Sequence, residues 1–267
     1  MVRQARKISP TGYYHVMMRG INKERIFEKT GFKSYFYYLL RILCSENPIE
    51  LVAYCIMNNH VHIILQGEID ILSMAIKKIN IRFAMKYNKD NERVGHVFQD
   101  RYKSEIINDD NYLLQVIRYV HNNPVSAGLV GHAREYRWSS YKEYTSNNLK
   151  VINRNQKEFI MGYFSGSLEN FIKFHLKYDS EVFLDTKEEM EKYKVEVAKR
   201  IKNDFKKSKG VTGSDFHLED IKKLAKILLE RSQLSHRQIA ELIEVNVNTI
   251  HRISKETLQT NSVKSEI

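Results

Sequence analysis

The stretch Ile49-Glu50-Leu51-Val52-Ala53-Tyr54-Cys55-Ile56-Met57-Asn58-Asn59-His60-Val61-His62-Ile63-Ile64-Leu65 decides how the chain is read. Two β-rich runs, Ile49–Met57 and His60–Leu65, flank two polar turn-forming residues, so the stretch predicts a β-hairpin. Upstream, Tyr35, Leu39 and Ile42 recur at helical spacing, predicting a helix over Phe32–Leu43 that ends before Asn47-Pro48. Before it, Tyr13–Ile21 alternates and is rich in β-formers, a first strand closing at Arg19-Gly20. Downstream, Leu72, Ala75, Ile76, Ile79 and Phe83 predict a helix over Ile69–Tyr87. After a charged loop, a last strand is expected within Phe98–Ile107, then a helix over Asn111–Asn122 stopped by Asn123-Pro124.

The order β-α-β-β-α-β is the ferredoxin-like pattern of the α+β class, with one helix added. That fold alone decides no function. The 267 residues carry 43 Lys and Arg against 32 Asp and Glu, a formal net charge of +11, which suits an anionic partner or serves solubility. The longest apolar run, Leu51–Met57, falls far short of the ~20 residues of a membrane span. No apolar segment follows the basic N-terminus, so a cytoplasmic protein with no membrane partner is expected. Two cysteines, Cys44 and Cys55, exclude a disulfide framework and an all-cysteine zinc site.

His60 and His62 are two apart on a strand, so both imidazoles project to one face. Such a pair can hold a divalent metal; it can equally be two half-buried histidines bonded to backbone carbonyls. On the last helix, Leu113, Val116, Ile117 and Val120 form an apolar stripe, and Tyr119 and Asn123, four apart, stack beside it. A phenol becomes a competent nucleophile next to a metal-bound phosphate, and Asn123 can add an amide oxygen as a third, hard ligand. With 16 tyrosines in the chain, packing is the ordinary alternative for Tyr119. Arg82, Lys86, Arg93, Arg101 and Lys103 are interleaved with Tyr87, Phe98 and Tyr102, a composition that suits a single nucleic-acid strand.

Five segments then carry a resemblance. They are Tyr14-His15-Val16 with Arg19-Gly20; Met57-Asn58-Asn59-His60-Val61-His62; Gly95-His96-Val97-Phe98-Gln99 with Arg101-Tyr102-Lys103-Ser104; Arg118-Tyr119-Val120-His121-Asn122-Asn123-Pro124 with Ala127-Gly128; and Trp138-Ser139-Ser140-Tyr141. In this order, over Gly12 to Tyr144, they resemble the HUH-type single-strand DNA transposases with one catalytic tyrosine. The match is best to the REP-associated tyrosine transposases and their insertion-sequence relatives. The resemblance implies that His60, His62 and Asn123 bind Mg²⁺ or Mn²⁺. It implies that Tyr119 attacks a phosphodiester to give a 5′-phosphotyrosine and a free 3′-hydroxyl, which a second 3′-hydroxyl then reverses. The implied substrate is a single strand with a hairpin, and the working form a monomer or a homodimer. His15 would lie beneath the metal site or bond a ligand, and Arg19 would contact a phosphate.

Beyond Lys206–Ser214, a basic stretch read as a linker, Ile221, Leu224, Ala225 and Leu228 mark a helical face. Ser235 and Gln238 form a capping-box pattern before a short helix, and Asn246 caps another. The run from Gln238 to Ile253 resembles a helix-turn-helix, with Asn246, Asn248, His251 and Arg252 toward duplex DNA; the alternative is a small helical bundle that only packs against the body. Glu244 stands where that motif usually has its turn glycine. The expected organisation is a transposase domain over 1–145, a helical extension and linker over 146–214, and an all-α helix-turn-helix-like domain over 215–267. A catalytically silent DNA-binding regulator is the competing function.

Overall fold

The computed structural model describes residues 7–176, 187–209, 217–232 and 234–262. The chain divides into two compact units, Met1–Lys177 and Tyr178–Ile267. The first is mixed α/β. Strands β1 (Tyr13–Arg19), β2 (Glu50–Ile56), β3 (His60–Gln66) and β4 (Lys103–Ile106) form one antiparallel sheet in the order β2-β3-β1-β4. Helix α1 (Thr30–Glu46) joins β1 to β2, α2 (Ile69–Asp90) joins β3 to β4, and α3 (Asp110–Ser126) follows β4. The hairpin forms where its pattern predicts, with Met57 N–H bonded to His60 O at 2.9 Å across Asn58-Asn59.

Strand alternation sorts the sheet into two faces. Val61, Ile63 and Leu65 are fully buried on one, the layer left for α1 and α2, which interlock through Phe32, Phe36 and Phe83. On the other face, register places Arg19 opposite His60, Met17 opposite His62 and His15 opposite Glu105. Helix α3 covers this face, reaching β3 through Asn123 and His60.

One boundary differs from the sequence expectation. The helix of Tyr119 is not stopped at Asn123-Pro124 but runs to Ser126 with Pro124 inside it. A proline in the last turn sacrifices one N–H yet leaves the turn intact, because Ala127 N–H still reaches Asn123 O at 2.9 Å. The last strand expected within Phe98–Ile107 is β4, Lys103–Ile106; ahead of it Phe98 bridges to Gly20 and Gln99 N–H bonds Arg19 O, with Asp100 and Arg101 exposed between.

The Trp138–Tyr141 segment seals the β2 edge. Ile56 N–H bonds Trp138 O at 2.8 Å, Ser140 N–H bonds Tyr54 O at 3.0 Å, and Tyr54 N–H bonds Ser140 Oγ at 2.9 Å. Such cover removes an open edge that could pair with another chain. Helix α4 (Tyr141–Thr145) follows and carries the buried Glu143, whose carboxylate accepts the backbone N–H groups of Lys150, Val151 and Ile152. Helices α5 (Arg154–Gly162) and α6 (Leu168–His175) complete this unit. The unit therefore extends well past residue 145.

The second unit contains α7 (Lys187–Lys209), α8 (Leu218–Arg231), α9 (His236–Ile243) and α10 (Val247–Ser262). Val197, Ala198 and Ile201 of α7 share one core with Leu224, Ala225, Leu228, Ile239, Ile243, Ile250 and Ile253. Helix α7, expected within an extension, is thus part of this unit. The stretch read as a linker is helical through Lys209, and its remaining residues lie outside those described. Glu244 takes φ 60° and ψ 45°, the left-handed conformation that ordinarily favours glycine, and ends α9. Lys202 Nζ supports that turn by donating to Leu242 O at 2.7 Å. Among the described residues, no helix is long and apolar enough to cross a membrane.

Candidate active site

β3 and α3 bring four side chains together. His60 Nε2 lies 3.3 Å from Asn123 Oδ1, and Asn123 Nδ2 donates to the Tyr119 hydroxyl at 3.3 Å. The His60 and His62 ring centroids are 4.8 Å apart, and Tyr119 meets His62 edge-on at 5.4 Å. The i, i+4 spacing on α3 and the i, i+2 spacing on β3 are the local causes of this meeting. Asp109 fixes where α3 starts, its side chain accepting Tyr112 N–H at 2.8 Å. Burial of Val116, Ile117 and Val120 then fixes the helix's rotation.

The hydrogen bonding around His60 fits a bound cation. His60 Nδ1 faces Asn59 Oδ1 at 2.8 Å, while its Nε2 faces Asn123 Oδ1. Both facing atoms are acceptors, and a neutral imidazole has one proton to give. With Nδ1–H on Asn59, two lone pairs oppose each other across 3.3 Å, and a cation held by both would relieve this. Burial, and secondarily the Arg19 charge, push the His62 pKa down to about 3, so this ring is neutral and able to ligate at physiological pH. Two imidazole nitrogens and an amide oxygen suit a borderline-to-hard divalent ion. No group of three His, Cys, Asp or Glu side chains placed to hold a metal occurs among the described residues.

The candidate DNA contacts do not form a single group. Arg19, at the end of β1 and nearly buried, sits beside His60 in register. Lys103, opposite Met17, and Arg101 just before it are exposed at the β4 edge. Arg82 and Lys86 are not brought to the histidines: both lie on α2 in the other layer, Arg82 3.9 Å from Glu46 and Lys86 2.8 Å from Asp90. Arg93 is committed to Glu24, its Nη1 lying 2.6 and 2.7 Å from the two carboxylate oxygens. In the second unit, Asn248, His251 and Arg252 are exposed on α10, while Ile250 and Ile253 face the core.

Residues 9–123 match the family model described as "Transposase IS200 like". Over those residues the chain is similar to the IS200-like transposases. A Haemophilus influenzae protein named as a REP-associated tyrosine transposase is 28% identical over 109 residues, 37% of this chain. The chain spans 62% of that relative's length. A solved REP-associated tyrosine transposase bound to a REP hairpin covers 58% of this chain and 98% of its own, at 16% identity and a TM-score of 0.47. A Deinococcus radiodurans protein described as a transposase covers 45% of this chain at 18% identity and a TM-score of 0.32.

The sequence motifs gave no role to the wire behind this site. His175 Nδ1 faces Phe171 O at 2.9 Å, its Nε2 faces His121 Nδ1 at 2.9 Å, and His121 Nε2 faces Ser140 Oγ at 2.8 Å. This chain ties α3 to α6 and to the segment sealing β2. Its order requires neutral rings, and burial lowers the pKa of both, His175 to about 3. The unfolded chain takes up this proton below about pH 6.5, whereas the folded one refuses it until near pH 3. Stability from His175 is therefore complete above pH 6.5 and lost as pH falls. The loss at pH 5 is about 2 kcal/mol. Urea midpoints at pH 7 and pH 5 should differ accordingly, and less so in His175→Asn; equal midpoints in the wild type would contradict the wire.

Proposed function

We propose that the protein is a transposase that cuts and rejoins single-stranded DNA through a covalent 5′-phosphotyrosine at Tyr119. The observation that carries this reading is the convergence of His60, His62, Asn123 and Tyr119 at one point between β3 and α3. His60 Nε2, His62 Nε2 and Asn123 Oδ1 would hold Mg²⁺ or Mn²⁺. When bound, the ion supplies Lewis-acid polarisation of the scissile phosphate. Asn123 has a double task, since its oxygen would ligate while its Nδ2 orients the Tyr119 hydroxyl. The Tyr119 oxygen bonds to phosphorus as the P–O3′ bond breaks, and the phenol proton ends on the departing 3′-oxygen. Arg19 beside His60 would neutralise a phosphate oxygen. The covalent link conserves phosphodiester energy, so a later 3′-hydroxyl can reseal the strand without ATP.

We read the element order and the strand order β2-β3-β1-β4 as ferredoxin-like. Helices α8–α10 are read as a helix-turn-helix-like reader of duplex DNA. The exposed Asn248, His251 and Arg252 and the paired cap of Ser235 and Gln238 support this second reading. The substrate proposed for the first unit is a single strand with a hairpin near the cut.

The test uses labelled single strands from the flanks of the protein's own gene, alone and as perfect duplexes. Single strands should be cut and duplexes spared, because unstacking costs ~1.4 kcal/mol per base-pair step and the chain has no phosphate-binding glycine loop to couple ATP. Equal cutting of both would place the protein in another nuclease class. Duplex binding by the full chain should lose affinity in Arg252→Ala, with a salt slope smaller by ~0.9 if one phosphate contact is removed. An unchanged slope and affinity would remove α10 from the DNA interface.

A further inference from the structure

Directly across the sheet from each other, His15 of β1 and Glu105 of β4 lie on the face that carries His62. His15 is fully buried, and its ring links two neighbours. Its Nε2 lies 3.0 Å from Nδ1 of His62, and its Nδ1 lies 4.0 Å from Oε2 of Glu105. We propose that Glu105, acting through His15, is a positioning residue that fixes which nitrogen of His62 keeps its lone pair for the metal. This inference rests on reading His60 and His62 as metal ligands.

A ring nitrogen ligates only through a lone pair, and each neutral imidazole carries one proton. Where two neutral rings meet, one donates and the other accepts, so two orders exist. In the first, His62 Nδ1–H donates to His15 Nε2, and His62 Nε2 retains its lone pair. In the second, His15 Nε2–H donates to His62 Nδ1, and the His62 proton sits on Nε2, where it repels a cation. By themselves the two rings choose weakly. A carboxylate accepts and never donates, so beside His15 Nδ1 it draws the proton to that atom. His15 Nε2 must then accept, and only the first order remains.

The 4.0 Å separation is beyond hydrogen-bond length, yet at that distance the carboxylate's negative charge favours the proton on the near nitrogen of a neutral ring. The Glu105 side chain is about one-third exposed, but the oxygen that faces His15 is buried, which keeps its charge from being screened by water. Burial raises the Glu105 pKa, and a hydrogen bond from Tyr112 of α3 opposes that rise and favours the ionised form. The same carboxylate thus touches the helix that carries Tyr119. Partners of this kind, one step behind a ligating histidine, set its tautomer and its orientation.

The experiment uses full-length protein with ¹⁵N-labelled histidine, stripped of metal by a chelator. Long-range ¹H–¹⁵N spectra report which nitrogen of each ring is protonated, and Mn²⁺ binding is followed by the paramagnetic resonance of free Mn²⁺. Wild-type His15 and His62 should both be protonated on Nδ1. Glu105→Ala should move His62 toward the Nε2–H form and weaken Mn²⁺ binding by roughly 10–100-fold. Glu105→Gln, which keeps an acceptor oxygen, should recover part of that loss. An Nε2–H proton on wild-type His62, or an unchanged tautomer and affinity in Glu105→Ala, overturns the role of Glu105. Should Glu105→Ala fail to fold, the wild-type tautomer decides alone. Wild-type protein that binds no Mn²⁺, or binding undiminished in His62→Ala, would instead overturn the metal reading itself and this inference with it.

Discussion

Tyr119→Phe should fold, bind single-stranded DNA and form no covalent adduct. The substitution removes one oxygen and keeps the ring that packs edge-on against His62. It removes one hydrogen bond, from Asn123 at 3.3 Å, so stability should fall by only about 1 kcal/mol. The chemical effect is far larger, because no other group takes over the attack. Loss of a nucleophile lowers turnover on the order of 10⁶-fold in a well-studied hydrolase, and adduct formation here should drop below detection. The check is a denaturing gel with labelled strands, paired with a gel-shift assay for binding. Normal cleavage by the variant would remove Tyr119 from the mechanism.

The second large effect is metal loss. His62→Asn should abolish Mg²⁺- or Mn²⁺-dependent cleavage, and EDTA should do the same to the wild type. A Lewis acid on a phosphoryl oxygen supplies several kcal/mol, so the loss should exceed about a hundredfold. DNA binding should survive better than cleavage, since phosphate contacts supply most of the affinity. His60→Ala is informative in another way. It removes the ring that faces both Asn59 Oδ1 and Asn123 Oδ1 and leaves the Asn123 Nδ2 bond to Tyr119 in place, so metal binding and cleavage should fall while Tyr119 stays oriented. Cleavage that persists in EDTA after exhaustive metal removal would exclude the metal-assisted route.

These two predictions rest on residues that were legible in the sequence, and the reason is local geometry. His60 and His62 share a face because a strand repeats every two residues. Tyr119 and Asn123 share a flank because a helix brings residues four apart together. Both spacings survive any packing of the elements. What the sequence hid is non-local. Glu105 stands opposite His15 only because β4 pairs with β1 in one particular register, and no short-range pattern states that register. Arg82 and Lys86 read together with Arg101 and Lys103 as one strand-binding set, yet α2 carries the first two to the other layer. Helix α7 read as a charged extension because its apolar positions are few. Val197, Ala198 and Ile201 suffice to build it into the second core. The His121–His175 wire spans 54 residues, so nothing near Tyr119 announces it.

Glu244 shows tertiary structure overriding a local preference. A glycine would adopt φ 60° without strain, whereas a residue with a Cβ pays roughly 1–2 kcal/mol in the left-handed region. The turn forms nonetheless, with Lys202 of α7 donating to the neighbouring Leu242 carbonyl and lying 3.6 Å from the Glu244 carboxylate. The contact explains how the turn between α9 and α10 closes without a glycine.

The most direct measurement is the site of the covalent bond. Wild-type protein, Mn²⁺ and single strands from the flanks of its own gene are incubated, digested with protease and nuclease, and read by mass spectrometry. A nucleotide 5′-phosphate carried on Tyr119, with a free 3′-hydroxyl on the released strand, is the predicted result. Cleaved DNA with no protein-linked product, or a link to a tyrosine other than Tyr119, would contradict it.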